Sequence, residues 1–375
     1  MKKILLPALF SFAFTALYAQ QTLIDSIYHG GMYRTYILYV PASYSASTPV
    51  PLILNFHGYT SNAGEQLFYG DFRPIADTAG FLVVHPQGTL DANNEPYWNS
   101  DWGGAVDDIG FTSALIDSLS AQYSIIQSRV YSTGMSNGGF MSYTLACSLS
   151  SRIAAIASVT GTMNYNQSLS CNPQHPMPVM EIHGTADPVV PYNGNGTMSS
   201  IVSTLAYWVN TNVCDVTPVQ TEVPNTNMVD GCTATHFVYQ NGNNGAEVEH
   251  FRINLGGHTW PGAPIVVGTT NYDINASKEI WRFFSQYDLY GKITGINETS
   301  EKSIQCYPNP TNDVLYFNGD DIDQIQAYTL LDASGKIVGE GTLSEQISIG
   351  QLANGFYILE LAFTDGKHSL RILKQ

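Results

Sequence analysis

The sequence predicts an α/β fold with a mostly parallel sheet, followed by a small all-β sandwich domain. Between residues 35 and 290, short apolar runs alternate with helix-like stretches, an order typical of parallel strands joined by helices. The pattern stops near Gly291, and residues 304–375 contain only short strand-like runs. Apolar residues make up 44% of the 375-residue chain, enough for each part to bury a core.

The first 19 residues resemble a secretory signal peptide. Lys2 and Lys3 precede an apolar run that extends to Tyr18, and the small residue Ala19 stands before Gln20. A membrane anchor is the alternative, but it needs about 20 apolar residues and this run is shorter. We therefore expect an exported protein, extracellular or on the cell surface, with no transmembrane segment in its mature form.

Seven apolar runs predict the strands of the sheet. Several are continuously apolar and bounded by Gly or Pro, as expected of strands buried on both faces. The runs are 36–40, 52–56, 81–84, 130–133, 153–159, 179–182 and 251–254. The helix-like segments between and after them lie near 63–78, 109–122, 137–149, 198–210 and 275–287.

These elements predict a main domain at 20–290. Residues 291–303 are polar and lack apolar periodicity, which indicates a linker. The segment 304–375 has strand-like runs of the length found in β-sandwiches.

The formal net charge of −16 at pH 7 argues against two classes of partner. Nucleic acids and anionic membranes are bound through Lys and Arg side chains that neutralise phosphates. Here 15 Lys and Arg stand against 31 Asp and Glu. We expect a neutral or weakly charged substrate and no nucleic-acid partner.

Five cysteines follow the apolar N-terminus, and four of them can pair in an exported protein. The four before residue 233 allow three connectivities. We favour Cys147 with Cys171 and Cys214 with Cys232, because each pair closes a short loop. Cys306 is left without a role. The cysteines lack the spacing of a zinc site, so no metal is expected.

The segment after the fourth apolar run has the form G-x-S-x-G. It reads Gly134-Met135-Ser136-Asn137-Gly138, between a predicted strand and a predicted helix. This is the nucleophile elbow of the α/β-hydrolase fold. The turn is too tight for side chains beside the serine, and the helix directs its positive end toward the forming oxyanion. Ser136 is the predicted nucleophile.

A serine hydroxyl needs a general base, and the base needs an orienting acid. In this fold the chain order is Ser, then Asp or Glu, then His. Asp187 and His258 each follow a predicted strand, the histidine on a glycine-flanked turn, so we assign them as acid and base. Asp187 could instead begin a turn, since Pro188 follows it. Rival bases, mostly within or at the start of predicted strands, are His183, His236 and His250.

The oxyanion hole is expected at two backbone N–H groups. One belongs to Tyr59, just after the predicted strand 52–56, and the other to Asn137, which follows the nucleophile. Aromatic side chains near the expected mouth could stack on a planar acyl group or a sugar ring. The candidates for substrate binding are Trp260, Trp98, Trp102 and Tyr59. For Trp98 and Trp102, simple packing of the loops is the alternative.

These residues together resemble a known group of enzymes. The motifs are His57-Gly58, Trp98-Asn99, 106–111, 129–131, 134–139, 183–187 and 256–262. They are similar to those of the polyhydroxybutyrate depolymerase-like esterases, which overlap carbohydrate esterase family 1 with its feruloyl and acetylxylan esterases. The resemblance covers about residues 25–290, and it implies hydrolysis of carboxylic esters without a metal or organic cofactor.

The tail has a resemblance of its own. Its motifs are Tyr307-Pro308-Asn309-Pro310, 314–316, 330–332, 335–336, 352–359 and 372–375. They resemble a type IX secretion sorting domain, which implies the type IX secretion machinery as a partner. A carbohydrate-binding module is the alternative, although the tail contains no Trp.

We therefore expect a Ser-His-Asp esterase that releases feruloyl or other hydroxycinnamate groups, or acetyl groups, from plant polysaccharide. The first alternative is a poly(3-hydroxybutyrate) depolymerase, which would act on a polyester. An alternative of another class is a non-catalytic glycan-binding protein on a hydrolase scaffold. The acyl group, the oligomeric state and surface anchoring are left open by the sequence.

Overall fold

The computed structural model describes residues 20–375 except 101–102, 266, 294–303, 320–321, 333–335, 343–345 and 364–365. The chain divides into two compact units, one ending at Ile293 and the other beginning at Thr294. The signal peptide expected at 1–19 lies outside the described residues, as do residues 294–303 of the expected linker. Gly291 and Lys292 form a short strand of the first unit, which therefore extends past residue 290.

The first unit alternates strands and helices. Its strands are β1 (Gln21–His29), β2 (Met32–Val40), β3 (Val50–Phe56), β4 (Leu82–Pro86), β5 (Thr89–Leu90), β6 (Pro96–Tyr97), β7 (Ile125–Met135), β8 (Ala155–Val159), β9 (Val179–Gly184), β10 (Val219–Glu222), β11 (Thr233–Tyr239), β12 (Val248–Asn254), β13 (Tyr287–Asp288) and β14 (Gly291–Lys292). Its helices are α1 (Ala63–Tyr69), α2 (Arg73–Ala79), α3 (Asp108–Gln122), α4 (Asn137–Ser148), α5 (Gln167–Ser170), α6 (Ile201–Asn212) and α7 (Ala276–Phe284). None of the helices in the described part of the chain is long and apolar enough to cross a membrane.

The main sheet has the strand order β1-β2-β4-β3-β7-β8-β9-β12-β11-β10 among the described residues. From β4 to β12 every neighbouring pair is parallel. Antiparallel pairs flank this centre, with β1 and β2 at one edge and β11 and β10 at the other. The predicted mostly parallel sheet is confirmed for its centre, and the antiparallel edges extend it.

The central strands are buried on both faces, and β3 shows why. Leu52, Ile53 and Leu54 are each 0% exposed. Successive side chains of a strand point to opposite faces. Accordingly, Leu52 and Leu54 pack in one core cluster and Ile53 in the other. Full burial of such a side chain contributes about 1.5–3 kcal/mol, so both faces of this sheet contribute to the stability of the first unit.

The single helix expected at 63–78 is two helices, α1 and α2. Helix α1 ends because Gly70 closes its last turn by donating its N–H to the carbonyl of Gln66, at 2.9 Å. Helix α2 then starts with Pro74 in its first turn, where the missing N–H of proline costs nothing.

The carboxyl ends of parallel strands lie at one edge of a sheet, where open α/β folds bind their ligands. The residues that follow β3, β7, β9 and β12 include every candidate for the reaction chemistry. They are Tyr59 after β3, Ser136 and Asn137 after β7, Asp187 after β9 and His258 after β12.

In its described residues, the second unit is a small β-structure with two sheets. Its strands are β15 (Gln305–Tyr307), β16 (Val314–Asn318), β17 (Ala327–Asp332), β18 (Ile337–Gly341), β19 (Gln346–Ser348), β20 (Gly355–Phe363) and β21 (Gly366–Lys374). One sheet has the order β15-β16-β19 and the other β18-β17-β20-β21, with antiparallel pairing throughout. Leu315 of one sheet and Leu359 of the other lie in a shared core. This is the sandwich that the sequence predicts.

One of the two expected disulfide bonds is present. Cys147, near the end of α4, is bonded to Cys171, which follows α5. The bond expected between Cys214 and Cys232 is wrong, since both are free thiols. Cys232 precedes the first residue of β11, whereas Cys214 lies beside the end of that strand, where Asp215 donates to the carbonyl of Gln240. A seven-residue strand is about 20 Å long, so the two thiols cannot meet.

Candidate active site

Ser136 lies on a strained turn between β7 and α4. Its φ is 52° and its ψ is −119°, a conformation that residues with side chains rarely adopt. The turn is possible because both flanking glycines lack a Cβ. A Cβ on Gly134 would lie 2.5 Å from the carbonyl oxygen of Phe56, and one on Gly138 would overlap the same group. The strain raises the serine above the sheet edge, as a nucleophile elbow requires.

Asp187 and His258 form a hydrogen-bonded pair across the same edge. His258 Nδ1 lies 2.7 Å from Asp187 Oδ2, and the side chain of Asp187 is buried. The other carboxylate oxygen accepts the N–H groups of Val189 and Val190, at 2.8 and 2.9 Å. Burial alone raises the pKa of Asp187, but the hydrogen bond from His258 and the nearby imidazoles outweigh it and lower the pKa below its ordinary value. Asp187 is therefore an ionised carboxylate that can orient His258.

The loop after β3 is braced from beneath by His57. Its Nδ1 lies 2.7 Å from the carbonyl of Gly58, and its Nε2 accepts the N–H of Gly88 at 2.9 Å. Burial lowers the pKa of His57 to about 4, so the ring is neutral at pH 7. This loop carries Tyr59, whose N–H is one of the two candidate oxyanion donors.

Asn137 supplies the second candidate donor. It is the first residue of α4, and first-turn N–H groups have no partner within a helix. Its side chain is held by the segment after β6. Its Oδ1 accepts the N–H of Trp98 at 2.7 Å, and its Nδ2 donates to the Trp98 carbonyl and to Ser100 Oγ, both at 3.1 Å. The segment 98–100 is thereby fixed beside Ser136.

Two cavities meet at Ser136 and Tyr59, which line both. The first has a volume of about 310 Å³ and is almost entirely apolar. We call it the apolar cavity; its other lining residues are Tyr97, Trp98, Asn137, Phe140, Val189, Val190 and Met198. The second, the mixed cavity, has a volume of about 480 Å³ and contains His258. Its remaining lining residues are Gly58, Ser61, Glu65, Gln66, Phe68, Tyr69, Met135, Ile265 and Val267.

Beyond Met198, the apolar cavity adjoins a more polar groove of about 560 Å³ that does not include Ser136. Uncharged polar and aromatic side chains line this groove, including Tyr165, Asn195 and Tyr207.

The aromatic candidates fall in different places. Tyr59 is 45% exposed at the junction of the cavities, and its hydroxyl donates to Asp91 at 2.8 Å. Trp98 lines the apolar cavity, although its indole N–H is committed to the carbonyl of His57 at 3.0 Å. Trp260 does not lie at the mouth, contrary to expectation. It is 1% exposed and packs in the core near Phe72. Trp102 lies outside the described residues.

Trp260 was expected at the mouth because it lies two residues after His258 in the sequence. The chain after the histidine turns inward, and the Trp260 indole donates to Ser277 Oγ of α7 at 3.2 Å. A large apolar ring gains more from burial there than from exposure at a mouth.

The rival histidines have structural contacts. His236 Nε2 lies 2.7 Å from Glu249, and His250 bonds to the Glu181 carbonyl and the Tyr192 hydroxyl. His183 is fully buried next to Asp187 rather than facing Ser136. The sequence reasoning missed the apolar cavity residues Phe140, Val189, Val190 and Met198. The available signal was that Phe140 lies one helical turn after Ser136 and that Val189 and Val190 follow Asp187 within three residues.

Two family models match the chain. Residues 96–237 match a model described as Phospholipase/Carboxylesterase. Residues 305–375 match a model described as Secretion system C-terminal sorting domain.

Similar proteins have esterase names. A bifunctional acetylxylan esterase/xylanase of Neocallimastix patriciarum is 25% identical over 275 residues, which are 73% of this chain and 36% of that protein. The chain thus spans about a third of that relative's length. Feruloyl esterase C of Emericella nidulans is 26% identical over 295 residues, 76% of this chain and 98% of that protein. A solved acetyl xylan esterase from Aspergillus awamori superposes with a TM-score of 0.51 at 14% identity, covering 72% of this chain and 99% of that one.

The solved structure shows that the fold is that of an α/β-hydrolase, and residues 96–237 are similar to phospholipases and carboxylesterases. The first unit thus resembles esterases, and residues 305–375 resemble a C-terminal sorting domain of a secretion system. The predicted α/β-hydrolase fold and the predicted sorting tail are both confirmed.

Proposed function

We propose that the chain is a secreted carboxylic ester hydrolase that uses a serine acyl-enzyme mechanism, with Ser136, His258 and Asp187 as catalytic residues. One observation carries this proposal. Ser136 stands on a strained turn and lines a cavity with His258, which is itself bonded to Asp187. A hydroxyl, a base and an orienting carboxylate are the groups that acyl transfer requires.

In the proposed reaction, Ser136 Oγ attacks the ester carbonyl carbon while His258 Nε2 accepts the hydroxyl proton. The negative charge that develops on the carbonyl oxygen is stabilised by the N–H groups of Tyr59 and Asn137. The C–O bond to the alcohol then breaks, and His258 returns the proton to the leaving oxygen. A water molecule, deprotonated by His258, hydrolyses the acyl-serine and releases the acid.

The two cavities suggest where each half of the ester lies. His258 must deliver its proton to the leaving alcohol, and of the two cavities only the mixed cavity is lined by His258. The alcohol therefore belongs in the mixed cavity, where Ser61 and Glu65 offer polar groups suited to sugar hydroxyls. The acyl group belongs in the apolar cavity.

The apolar cavity favours a bulky acyl group. Its volume of about 310 Å³ is at the lower end for drug-sized ligands, and an acetyl group would leave most of it empty. Its walls include Phe140 and Tyr97 and present almost no polar surface. A planar hydroxycinnamoyl group such as feruloyl fits this chemistry better than acetyl. We propose feruloyl esters of plant polysaccharide as the leading substrate, which agrees with the name of the Emericella nidulans relative, whereas the Neocallimastix patriciarum relative is named for acetyl groups.

Export is part of the proposal. The sorting domain at 305–375 supports passage through the type IX secretion machinery. Polysaccharide esters are too large to enter a cell, so an enzyme that acts on them must work outside it.

The test is a panel of esters with the purified chain and its Ser136→Ala variant. We expect ferulate release from arabinoxylan and hydrolysis of p-nitrophenyl acetate, both reduced about 10⁴-fold or more in the folded variant. Equal turnover by the variant would overturn the serine mechanism. Clearing of a polyhydroxybutyrate film without ferulate release would support the polyester alternative, and binding of xylan without turnover would support the glycan-binding alternative.

A second experiment tests the assignment of the acyl group. Met198→Trp should fill the apolar cavity and lower kcat/KM for p-nitrophenyl ferulate about tenfold, while p-nitrophenyl acetate is little affected. Ile265→Trp in the mixed cavity is the matched control. Because both esters share one leaving group, Ile265→Trp should change kcat/KM for the two esters alike. If instead Ile265→Trp were selective against the ferulate ester and Met198→Trp were not, the acyl group would lie in the mixed cavity and the alcohol in the apolar cavity.

A further inference from the structure

A chain of buried polar groups lies behind Asp187 and has no part in the mechanism above. Glu181 and His183 stand two residues apart on β9, so their side chains share one face of the strand. Both side chains are 0% exposed. Burial of ionisable groups costs several kcal/mol unless they are paired. The pair is therefore expected to have a role beyond packing.

The contacts of His183 define its protons. Its Nε2 lies 2.9 Å from the carbonyl oxygen of Val190 and 3.5 Å from Asp187 Oδ2. Both are acceptors, so Nε2 carries a hydrogen. Its Nδ1 lies 3.0 Å from Glu181 Oε1, and the other oxygen of Glu181 accepts the Tyr143 hydroxyl at 2.7 Å. A proton therefore also lies between Nδ1 and Glu181.

We propose that His183, charged and balanced by Glu181, is a positioning residue that keeps Asp187 ionised and correctly oriented for His258. This inference rests on the proposed function. The N–H of Val190 donates to Asp187, and its carbonyl accepts from His183, so His183 fixes the turn that holds the carboxylate. A positive charge 3.5 Å away also favours the ionised form of Asp187.

The surroundings of His183 are consistent with this charge. Burial lowers the pKa of His183, but its bond to Glu181 and the two carboxylates outweigh this and raise the pKa above its ordinary value. Burial lowers the pKa of the neighbouring His250 to about 3, so that ring is neutral. The titratable or charged groups facing His183 are Tyr143 from α4, Glu181 from β9, Asp187 and Tyr192 from the following loop, and His250 and Arg252 from β12.

The test is a double-mutant cycle with a pH profile. His183→Gln keeps an amide near the Val190 carbonyl but removes the charge, and we expect kcat to fall about 10- to 100-fold. Loss of a nearby cation raises the pKa of Asp187, so the acid limb of kcat/KM should move to higher pH. In an Asp187→Asn background the same substitution should cost almost nothing more, because it acts through Asp187.

His250→Gln is the matched control, since it removes an equally buried imidazole that does not contact Asp187. It should leave the acid limb in place. Tyr143→Phe removes only the hydroxyl that donates to Glu181, and it provides a milder variant if His183→Gln does not fold; its loss of kcat should likewise disappear with Asp187→Asn.

The positioning role would be overturned if His183→Gln lowered kcat as much in the Asp187→Asn background as in the wild type. It would also be overturned if His250→Gln moved the acid limb of kcat/KM as far as His183→Gln does. These outcomes differ from failure of the proposed function. If the proposed function were wrong, Ser136→Ala and Asp187→Asn would themselves retain activity.

Discussion

Replacing Asp187 by Asn tests the orientation of His258 with almost no change in shape. Asp187 Oδ1 accepts two backbone N–H groups, from Val189 and Val190. The asparagine oxygen must take that position, because backbone N–H groups can only donate, whereas Nδ1 of His258 can become an acceptor for the NH₂ group. The NH₂ group then faces His258 Nδ1, which must become an acceptor. The proton moves to Nε2, the nitrogen that should accept from Ser136.

The expected size of the effect follows from this tautomer change. In serine proteases the same exchange lowers kcat about 10⁴-fold, which corresponds to about 5 kcal/mol of transition-state stabilisation. We expect a similar loss here, measured as kcat for p-nitrophenyl acetate with the thermal midpoint as a check on folding.

Asp273→Asn provides the matched control. Its Oδ1 also accepts two backbone N–H groups, from Thr226 and Asn227, at 2.7 and 2.9 Å, but its carboxylate bonds to no histidine. This control should keep full kcat. A folded Asp187→Asn protein that loses less than about tenfold in kcat would show that a group other than Asp187 orients His258.

Four further outcomes are expected. Trp260→Ala should lower the free energy of unfolding, measured in urea, by about 3–5 kcal/mol, because it leaves a cavity in the core. A panel of esters should show no selective loss of kcat/KM for feruloyl esters. Burial raises the thiol pKa of Cys214 and of Cys232 to about 11. Both thiols should therefore resist iodoacetamide at pH 8 in the folded protein and react after unfolding. Rapid labelling of both in the native state would contradict this expectation. Burial raises the pKa of Glu249, but its bonds to His236 and Arg282 outweigh burial and lower this pKa below its ordinary value. Ionised Glu249 therefore stabilises the fold at any pH above the ordinary pKa of a glutamate, and this contribution is lost as the pH falls through the lowered pKa. The difference in thermal midpoint between wild type and Glu249→Gln should accordingly shrink below about pH 4.3. A chain ending at Ile293 should keep its esterase activity, since the first unit has its own core, and loss of activity in a folded truncation would tie the sorting domain to catalysis.

The central strands could be predicted from the sequence because burial on both faces leaves a continuous apolar run. The edge strands could not. In β10 all four side chains are exposed, and β1 is exposed along most of its length. Such strands are fixed by hydrogen bonds to a neighbour rather than by their own apolar pattern, and a single sequence gives little sign of that pairing.

The site residues divide in the same way. The positions of Ser136, Asp187 and His258 follow from chain order and strand ends, which are local properties. Whether Trp260 faces a cavity or the core depends on Ser277, a contact that sequence spacing does not reveal. The Glu181 and His183 pair is visible in the sequence as two ionisable residues at alternate positions of an otherwise apolar strand. It was not predicted as part of the site because histidines within strands more often have a structural role.

The bond between Cys147 and Cys171 has a consequence for when this enzyme becomes complete. It fixes the end of α5 to α4, the helix that begins beside Ser136, and α5 contributes Ser168 and Leu169 to the groove beyond the apolar cavity. Such bonds do not form in a reducing cytoplasm. If the proposed export holds, this bond forms outside the cytoplasm, and we therefore expect the wall of the groove to be fixed only after the chain has been exported.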